Sequence, residues 1–325
     1  MSDSSRERAG VVLTFAASLL WGTSWVATGF ALRGFSPLAV AGWRGLVGVA
    51  FIAVYLALDP TRLAADHDRP RVPRVARVVL LGLLGGGAFQ VGMAYAVDLA
   101  GATLAAFVAG LYPVLVAAGA GLVLGERPGR YVAGGLAVAF GGVVLLAGFD
   151  PTGASPAGLA IGLAAAAAFA AYLLLTRRWA AAWRLPTPVI ATSVMAMSAL
   201  VALPLAWLAD PAGLVSDGGM GPVLAILWLA GPVGAVAQAA AVAGVRRLPS
   251  DRSAAIFLLN PLTAALLAAA LLGERLGPLQ VLGCGLVLAG VALATVLAAR
   301  VTRAAAATRA AGLRQVESAA ARRIL

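Results

Sequence analysis

Apolar runs of about twenty residues follow one another through most of the chain, at residues 11–31, 37–57, 76–97, 103–124, 130–149, 157–176, 188–208, 222–244, 254–272 and 279–298. A helix of that length rises far enough to cross the roughly 30 Å hydrocarbon layer of a bilayer. Only short breaks separate the runs, among them "RGFS", "DLAG", "GERP", "FDPTGASP", "RLPSDRS" and "GERLGP". Glycine and proline punctuate them. No stretch is long enough for a soluble domain, and residues 299–325 form a polar tail. The N-terminal "MSDSSRERAG" followed by an apolar run has the outline of a signal peptide, but the run continues to Ala31 without a convincing cleavage site, so it reads as a retained first membrane helix. The expected fold is therefore an all-α polytopic membrane protein with ten transmembrane helices.

Charge placement gives the expected orientation. With the N-terminus in the cytoplasm and ten crossings, the inner side receives Arg6, Arg8, Arg62, Arg69, Arg71, Arg74, Arg77, Arg127, Arg130, Arg177, Arg178, Arg184, Arg246, Arg247, Arg252 and the tail arginines. The outer side receives Arg33 and Arg275, with Asp98, Asp150, Asp210, Asp217 and Glu274. Both termini are thus expected in the cytoplasm, in the cytoplasmic (inner) membrane. The net charge of +11 does not suggest a nucleic-acid partner, because the arginines sit between apolar runs and in the tail rather than on a soluble folded face. The sequence calls for no metal or cofactor. Its single cysteine, Cys284, lies inside an apolar run, and its single histidine, His67, lies in a polar loop.

The chain also repeats itself. "LYPVLVAAGAGLVLGER" from Leu111 and "LNPLTAALLAAALLGER" from Leu259 align without a gap. Pro113 and Pro261, Glu126 and Glu274, and Gln90 and Gln238 are each 148 positions apart. Gly135 falls on Gly283 and Gly142 on Gly290 at the same spacing, while the match weakens towards the front, where "SPLAV" resembles "TPVIA" with three further residues of shift. Each half holds five runs, residues 1–149 and 150–298, so the second half is expected to enter the membrane upside down relative to the first. Flanking charges agree: Asp98 has Arg246 as its mate on the opposite side. Two inverted five-helix repeats around a midplane site are a common transporter plan.

The tracts "AVDLAGATLAAFVAGLYPVLVAAGAGLVLGERPG" and "VRRLPSDRSAAIFLLNPLTAALLAAALLGERLGPLQVLGCGLVLAG" resemble the corresponding helices of EamA-type carriers of the drug/metabolite transporter superfamily. "LLWGTSWV" and "SPLAVAGWRGLVGV" resemble that family's first two helices, and the resemblance covers most of residues 11–298. It implies ten helices, two inverted repeats, a central cavity, and export or exchange of small metabolites such as amino acids. It names no single substrate.

Several residues are candidates for that cavity. Pro113 and Pro261 interrupt apolar helices and free the carbonyls of Ala109 and Phe257; a cavity-lining hinge and a structural kink both fit. Gln90 and Gln238 are carboxamides deep in apolar runs, so both should face inward, towards a solute or into an interhelical hydrogen bond. Tyr112 and Asn260 each precede the repeated proline. Trp21, Tyr95 and Tyr172 are candidate aromatic walls, with a membrane-interface role competing for Tyr95. Arg44 is the one arginine within a span and stands either as an anion anchor or gate, or as a structural arginine satisfied by helix-end carbonyls. Glu126 and Glu274 close the fourth and ninth runs after a glycine that can end a helix. A carboxylate beside the next helix N-terminus explains them structurally; a gate ion pair or a proton-binding step is the other reading.

The function expected is a secondary transporter of a small-molecule solute, acting in the lipid bilayer as an exporter or exchanger. The chain carries no Walker-type phosphate loop and no mid-membrane acid. An intramembrane enzyme would need a paired nucleophile and base or a metal cluster, and the lone loop histidine offers neither. A non-transporting membrane scaffold or regulator is the remaining alternative.

Overall fold

A computed structural model describes residues 3–58, 75–125, 130–148, 155–183, 187–245, 247–248, 256–257, 259–293 and 297. His67, Glu126, Pro128 and the tail at 299–325 lie outside them. The described residues are helical, with no strand among them. In chain order the helices are α1 (Asp3–Ala31), α2 (Pro37–Leu58), α3 (Val75–Ala100), α4 in two pieces (Ala102–Ala109 and Tyr112–Leu124), α5 (Arg130–Gly148), α6 (Pro156–Trp183), α7 (Thr187–Ala209), α8 (residues 220–245), α9 (Leu259–Leu271) and α10 (Pro278–Ala292).

Among the described residues, seven of these are long and apolar enough to cross a membrane: Arg8–Ala31, Pro37–Leu58, Val75–Ala100, Ala102–Val123, Pro156–Thr176, Pro188–Ala209 and Met220–Ala241. Three shorter apolar helices, Arg130–Val143, Leu259–Leu271 and Pro278–Ala292, complete the set.

The halves share local anomalies as well as helices. α3 passes through a π-helical segment at Leu83–Ala88 and α8 through one at Leu229–Ala237, and residues 83–88 fall on 231–236 at the 148-residue spacing. The second π segment leads directly into Gln238, and the first ends one residue before Gln90, at Ala88. Helices α4 and α9 both end at a left-handed glycine, Gly125 at φ 74° and Gly273 at φ 73°. A residue with a Cβ resists that conformation, which is why the repeated phrase places glycine before its glutamate.

Pro113 does not kink a continuous helix. The break falls before it, at Gly110 and Leu111, and Pro113 sits in the first turn of Tyr112–Leu124. A first-turn N–H has no intrahelical acceptor, so proline forfeits nothing there. Pro261 lies in Leu259–Leu271, and residue 258 before that segment is outside the described residues while 256–257 are helical.

Packing follows the repeat. Two helices pack extensively against their own mates, α5 with α10 and α2 with α7. α1 packs on α8 and α9, and α6 packs on α3 and α4, which is the same arrangement with the halves exchanged. The mates run antiparallel. Gly42 approaches Leu203, Gly45 approaches Ala199, and Gly48 approaches Met195. A Cβ built on Gly142 would lie 2.7 Å from the Gly283 carbonyl oxygen, and one built on Gly290 would lie 2.5 Å from the Gly135 carbonyl oxygen. Gly290 is the mate of Gly142, and Gly135 of Gly283, so each contact is the image of the other. Such backbone approach replaces the hydrophobic drive that lipid does not supply between helices.

Gly142→Leu should therefore lower thermal stability in detergent by about 1–3 kcal/mol, since backbone cannot yield as a side chain can. Gly141→Ala, where nothing lies within 4 Å of the added carbon, is the control that should leave the melting temperature unchanged or slightly raised.

Candidate functional site

The two halves differ at their ends. At the end carrying Leu99, Ala102, Leu214 and Glu274, the chain is tied across. Glu274 accepts hydrogen bonds from the backbone N–H groups of Ala102 at 2.6 Å and Thr103 at 3.0 Å. Its carboxylate thus caps the N-terminus of α4 in the other half, not that of the α10 helix that follows it. The helix-terminus explanation of this glutamate holds, with a different helix. A carboxylate on exposed helix donors at such a terminus contributes about 0.5–2 kcal/mol. Nearby, the Ser155 N–H donates to the Leu99 carbonyl at 2.9 Å, Ser36 N–H to the Gly213 carbonyl at 3.0 Å, and Trp43 Nε1–H to the Leu214 carbonyl at 2.9 Å.

Beneath those ties α2 packs against Phe89–Ala100, the part of α3 beyond its π segment. Tyr95 belongs to this closure, packed against the cluster of Leu38, Ala41, Ala202 and Ala206, and it is not beside the other candidate aromatics. At the opposite end, the equivalent pairing of α7 with Gln238–Val245 is not made to comparable extent among the described residues.

The glutamines register that difference. Gln90 is 7% exposed, whereas Gln238 is exposed. Gln90 is thus covered by protein, whereas Gln238 is not covered by α7 among the described residues. The π segments before them also differ in length, six residues before Gln90 and nine before Gln238.

On one side of the bundle interior lie Phe89 of α3, Tyr112 of α4, and Phe169 and Tyr172 of α6. Phe89 stacks on Phe169 with ring centroids 4.3 Å apart, Tyr112 meets Phe169 edge-on at 5.2 Å, and Phe169 stacks on Tyr172 at 5.5 Å. Such pairs prefer these offset and edge geometries. On the other side, Trp21 stacks on Phe257 at 5.3 Å, and the Trp25 Nε1–H donates to Asn260 Oδ1 at 2.9 Å. Trp21 and Phe169 are repeat mates, as are Tyr112 and Asn260. The structure thus brings together Tyr112 with Tyr172, and Trp21 with the residues around Asn260.

Phe89, Phe169, Trp25 and Met195 escape sequence reasoning, because an apolar side chain in an apolar run carries no signal of its own. The repeat offers one, since Phe169 lies 148 positions after Trp21. Arg44 lies in mid-α2, partly covered, with its Nε buried and without a hydrogen-bond partner. Helix-end carbonyls therefore do not satisfy that nitrogen. Gln90 Nε2 lies 3.7 Å from Met195 Sδ, and its Oε1 is buried without a partner.

The Trp25–Asn260 bond ties the helices that carry them, α1 and α9, across the halves. A double-mutant cycle of Trp25→Phe and Asn260→Leu, read by thermal unfolding, should return a coupling of about 1 kcal/mol; strictly additive losses would contradict the bond.

The EamA-like transporter family matches this chain twice, at residues 8–148 and 156–296. The two matches start 148 positions apart, the spacing of the sequence repeat. An uncharacterized transporter, YwfM, of Bacillus subtilis (strain 168) is 27% identical over 283 residues, covering 84% of this chain and 89% of the relative. A solved crystal structure is 27% identical with a TM-score of 0.60, covering 91% of this chain and 99% of that one. With a repeated match across nearly its whole helical length, the chain is a multi-pass membrane protein belonging to the EamA-like transporter family.

Proposed function

We propose that the protein is a secondary carrier that exports or exchanges small organic metabolites, amino acids among them, across the cytoplasmic membrane. All ten helices cross the bilayer, the halves are inverted repeats, and both termini are cytoplasmic. Pro113, at the first turn after a break, and its repeat mate Pro261 mark the positions about which α4 and α9 reorient.

One observation supports this reading above the others: helix mates pack antiparallel with mirrored contacts, while among the described residues the two ends are joined across the halves by different bonds, Glu274 to Ala102 and Thr103 at one and Arg178 to the Val123 carbonyl at the other. Two halves with the same contact set can exchange their arrangements at little net energetic cost, which would open the Arg247 end and the Glu274 end in turn. Buried Gln90 and exposed Gln238 are then one position seen in its closed and open settings. Arginine placement supports a cytoplasmic Arg247 end. Glu274, bonded across the halves, is one strap of its end, and Glu126 is its mate in the sequence repeat.

Reconstituted liposomes loaded with unlabelled amino acids should accumulate the labelled solute against an inactive-vesicle control. Counterflow without an imposed ion gradient is expected of an exchanger. Complete inactivity against a broad panel of metabolites, from protein that remains folded and inserted, would instead favour a membrane scaffold.

A further inference from the structure

Two side chains in the interior carry polar atoms that the protein leaves unmatched. Arg44 stands on α2 with Val40, Ala41, Val47 and Gly48 one turn away on either side. Val40 and Val47 pack towards Ala27 and Ala31 of α1 and Ile226 and Leu229 of α8. Ala41 packs towards Ala202 of α7, and a Cβ built on Gly48 would lie 2.8 Å from Met195 Sδ. Arg44 therefore lies at the seam between the face of α2 that meets α1 and α8 and the face that meets α7. Its immediate neighbours Val40 and Ala41 are 2% and 1% exposed, while Arg44 itself keeps some accessible surface. That surface opens into the bundle rather than onto lipid. No acidic side chain among the described residues pairs with it, and Nε is without a partner. An unpaired buried cation is costly, and a guanidinium is shaped for a carboxylate or another planar anion.

Gln90 reaches the same place from α3. Its amide faces the sulfur of Met195, the methionine that Gly48 also meets. A thioether only accepts, so the side-chain NH2 is the group turned to it, and Oε1 is the atom left buried and unmatched. The Met195 methyl carbon in turn lies 3.9 Å from a Cβ built on Gly234, inside the π segment of α8. The thioether thus sits where α2, α3, α7 and α8 meet, beside the seam of α7 and α8 that is less closed at the Arg247 end. One side supplies an unpaired donor cation, and the other an unpaired acceptor.

Building on the carrier reading, we propose that Arg44 binds the carboxylate of the transported solute while Gln90 Oε1 accepts a hydrogen bond from a donor beside that carboxylate. The solute class is a small organic acid bearing an amino or hydroxyl group on the carbon next to the carboxylate. The pair acts as a specificity filter: the arginine selects charge, and the glutamine selects the neighbouring donor. A site that hydrogen-bonds a substrate group rejects analogues lacking it, because its own polar atoms are then left buried and unpaired.

Four probes of one carbon skeleton separate the two roles: leucine, 2-hydroxy-4-methylpentanoate, 4-methylpentanoate and leucinamide. Binding to the purified full-length protein in detergent is measured by calorimetry, and counterflow in liposomes is measured in parallel. Leucine or the hydroxy acid should bind about tenfold or more tightly than leucinamide and than 4-methylpentanoate; which of the two binds better identifies the donor. Arg44→Gln should abolish the preference over leucinamide, and Arg44→Lys should weaken binding but keep that preference. Gln90→Leu should abolish the preference over 4-methylpentanoate and leave the preference over leucinamide intact. Equal affinity of the wild type for acid and amide, failure of all the acids to bind, or an unchanged preference in a folded Arg44→Gln would overturn the proposal. Carboxylate-selective binding with no counterflow would instead sink the carrier reading and leave the site standing, whereas counterflow indifferent to the carboxylate would do the reverse.

Discussion

Everything else in this molecule depends on the close antiparallel approach of helices to their own repeat mates. Within a bilayer there is no water to expel from between apolar helices, so contact must come from backbone proximity and complementary surfaces. The glycines of α5 and α10 allow it, Gly142 against the Gly283 carbonyl and Gly290 against the Gly135 carbonyl. Because the two contacts are images of one another, the pair is symmetric even though the sequences of its members are not. α2 and α7 are joined in the same antiparallel sense through Gly42, Gly45 and Gly48. These two joints leave α1, α3 and α4 free to meet α6, α8 and α9 across the halves.

That cross-packing is what turns a duplicated fold into a device. Each half places its first helix on the third and fourth helices of the other. The Glu274 carboxylate bonded to Ala102 and Thr103 shows the two halves fastened directly. The π segments deepen the point. They interrupt the α-helical ladder at equivalent positions, just before Gln90 and Gln238, where a small change in local winding alters which face the glutamine presents.

Much of this was legible in the sequence because the repeat is long and the apolar runs are strongly marked. The spacing of Pro113 and Pro261 foretold paired helices, and Gly125 and Gly273 do end theirs in the left-handed conformation. What the spacing does not reveal is where the break falls. Proline draws the eye, yet the helix stops at Gly110 and Leu111, and proline merely opens the next piece. Nor does a one-dimensional reading reveal which helix terminus a carboxylate reaches: Glu274 is adjacent in sequence to α10 but caps α4. Likewise, Gln90 and Gln238 are equivalent residues in sequence, and only the three-dimensional arrangement shows that one is covered and the other exposed. The aromatic cluster around Phe169 was hidden for the opposite reason, since its members look like any other apolar residue until their rings are seen to stack.

The central claim is that the two ends open in opposition, and it is tested most directly by measuring both ends in one molecule type. Spin-label pairs placed at Leu99 and Leu271, and at the mate positions Arg247 and Val123, in a background with Cys284→Ala, report the Glu274 end and the Arg247 end by pulsed dipolar distances. Glu274→Gln loosens the strap without requiring any solute. The account predicts that this substitution lengthens the Leu99–Leu271 distance and shortens the Arg247–Val123 distance in the same membranes. Two distances that lengthen together, or an Arg247–Val123 distance that does not respond while the other pair separates, would contradict it.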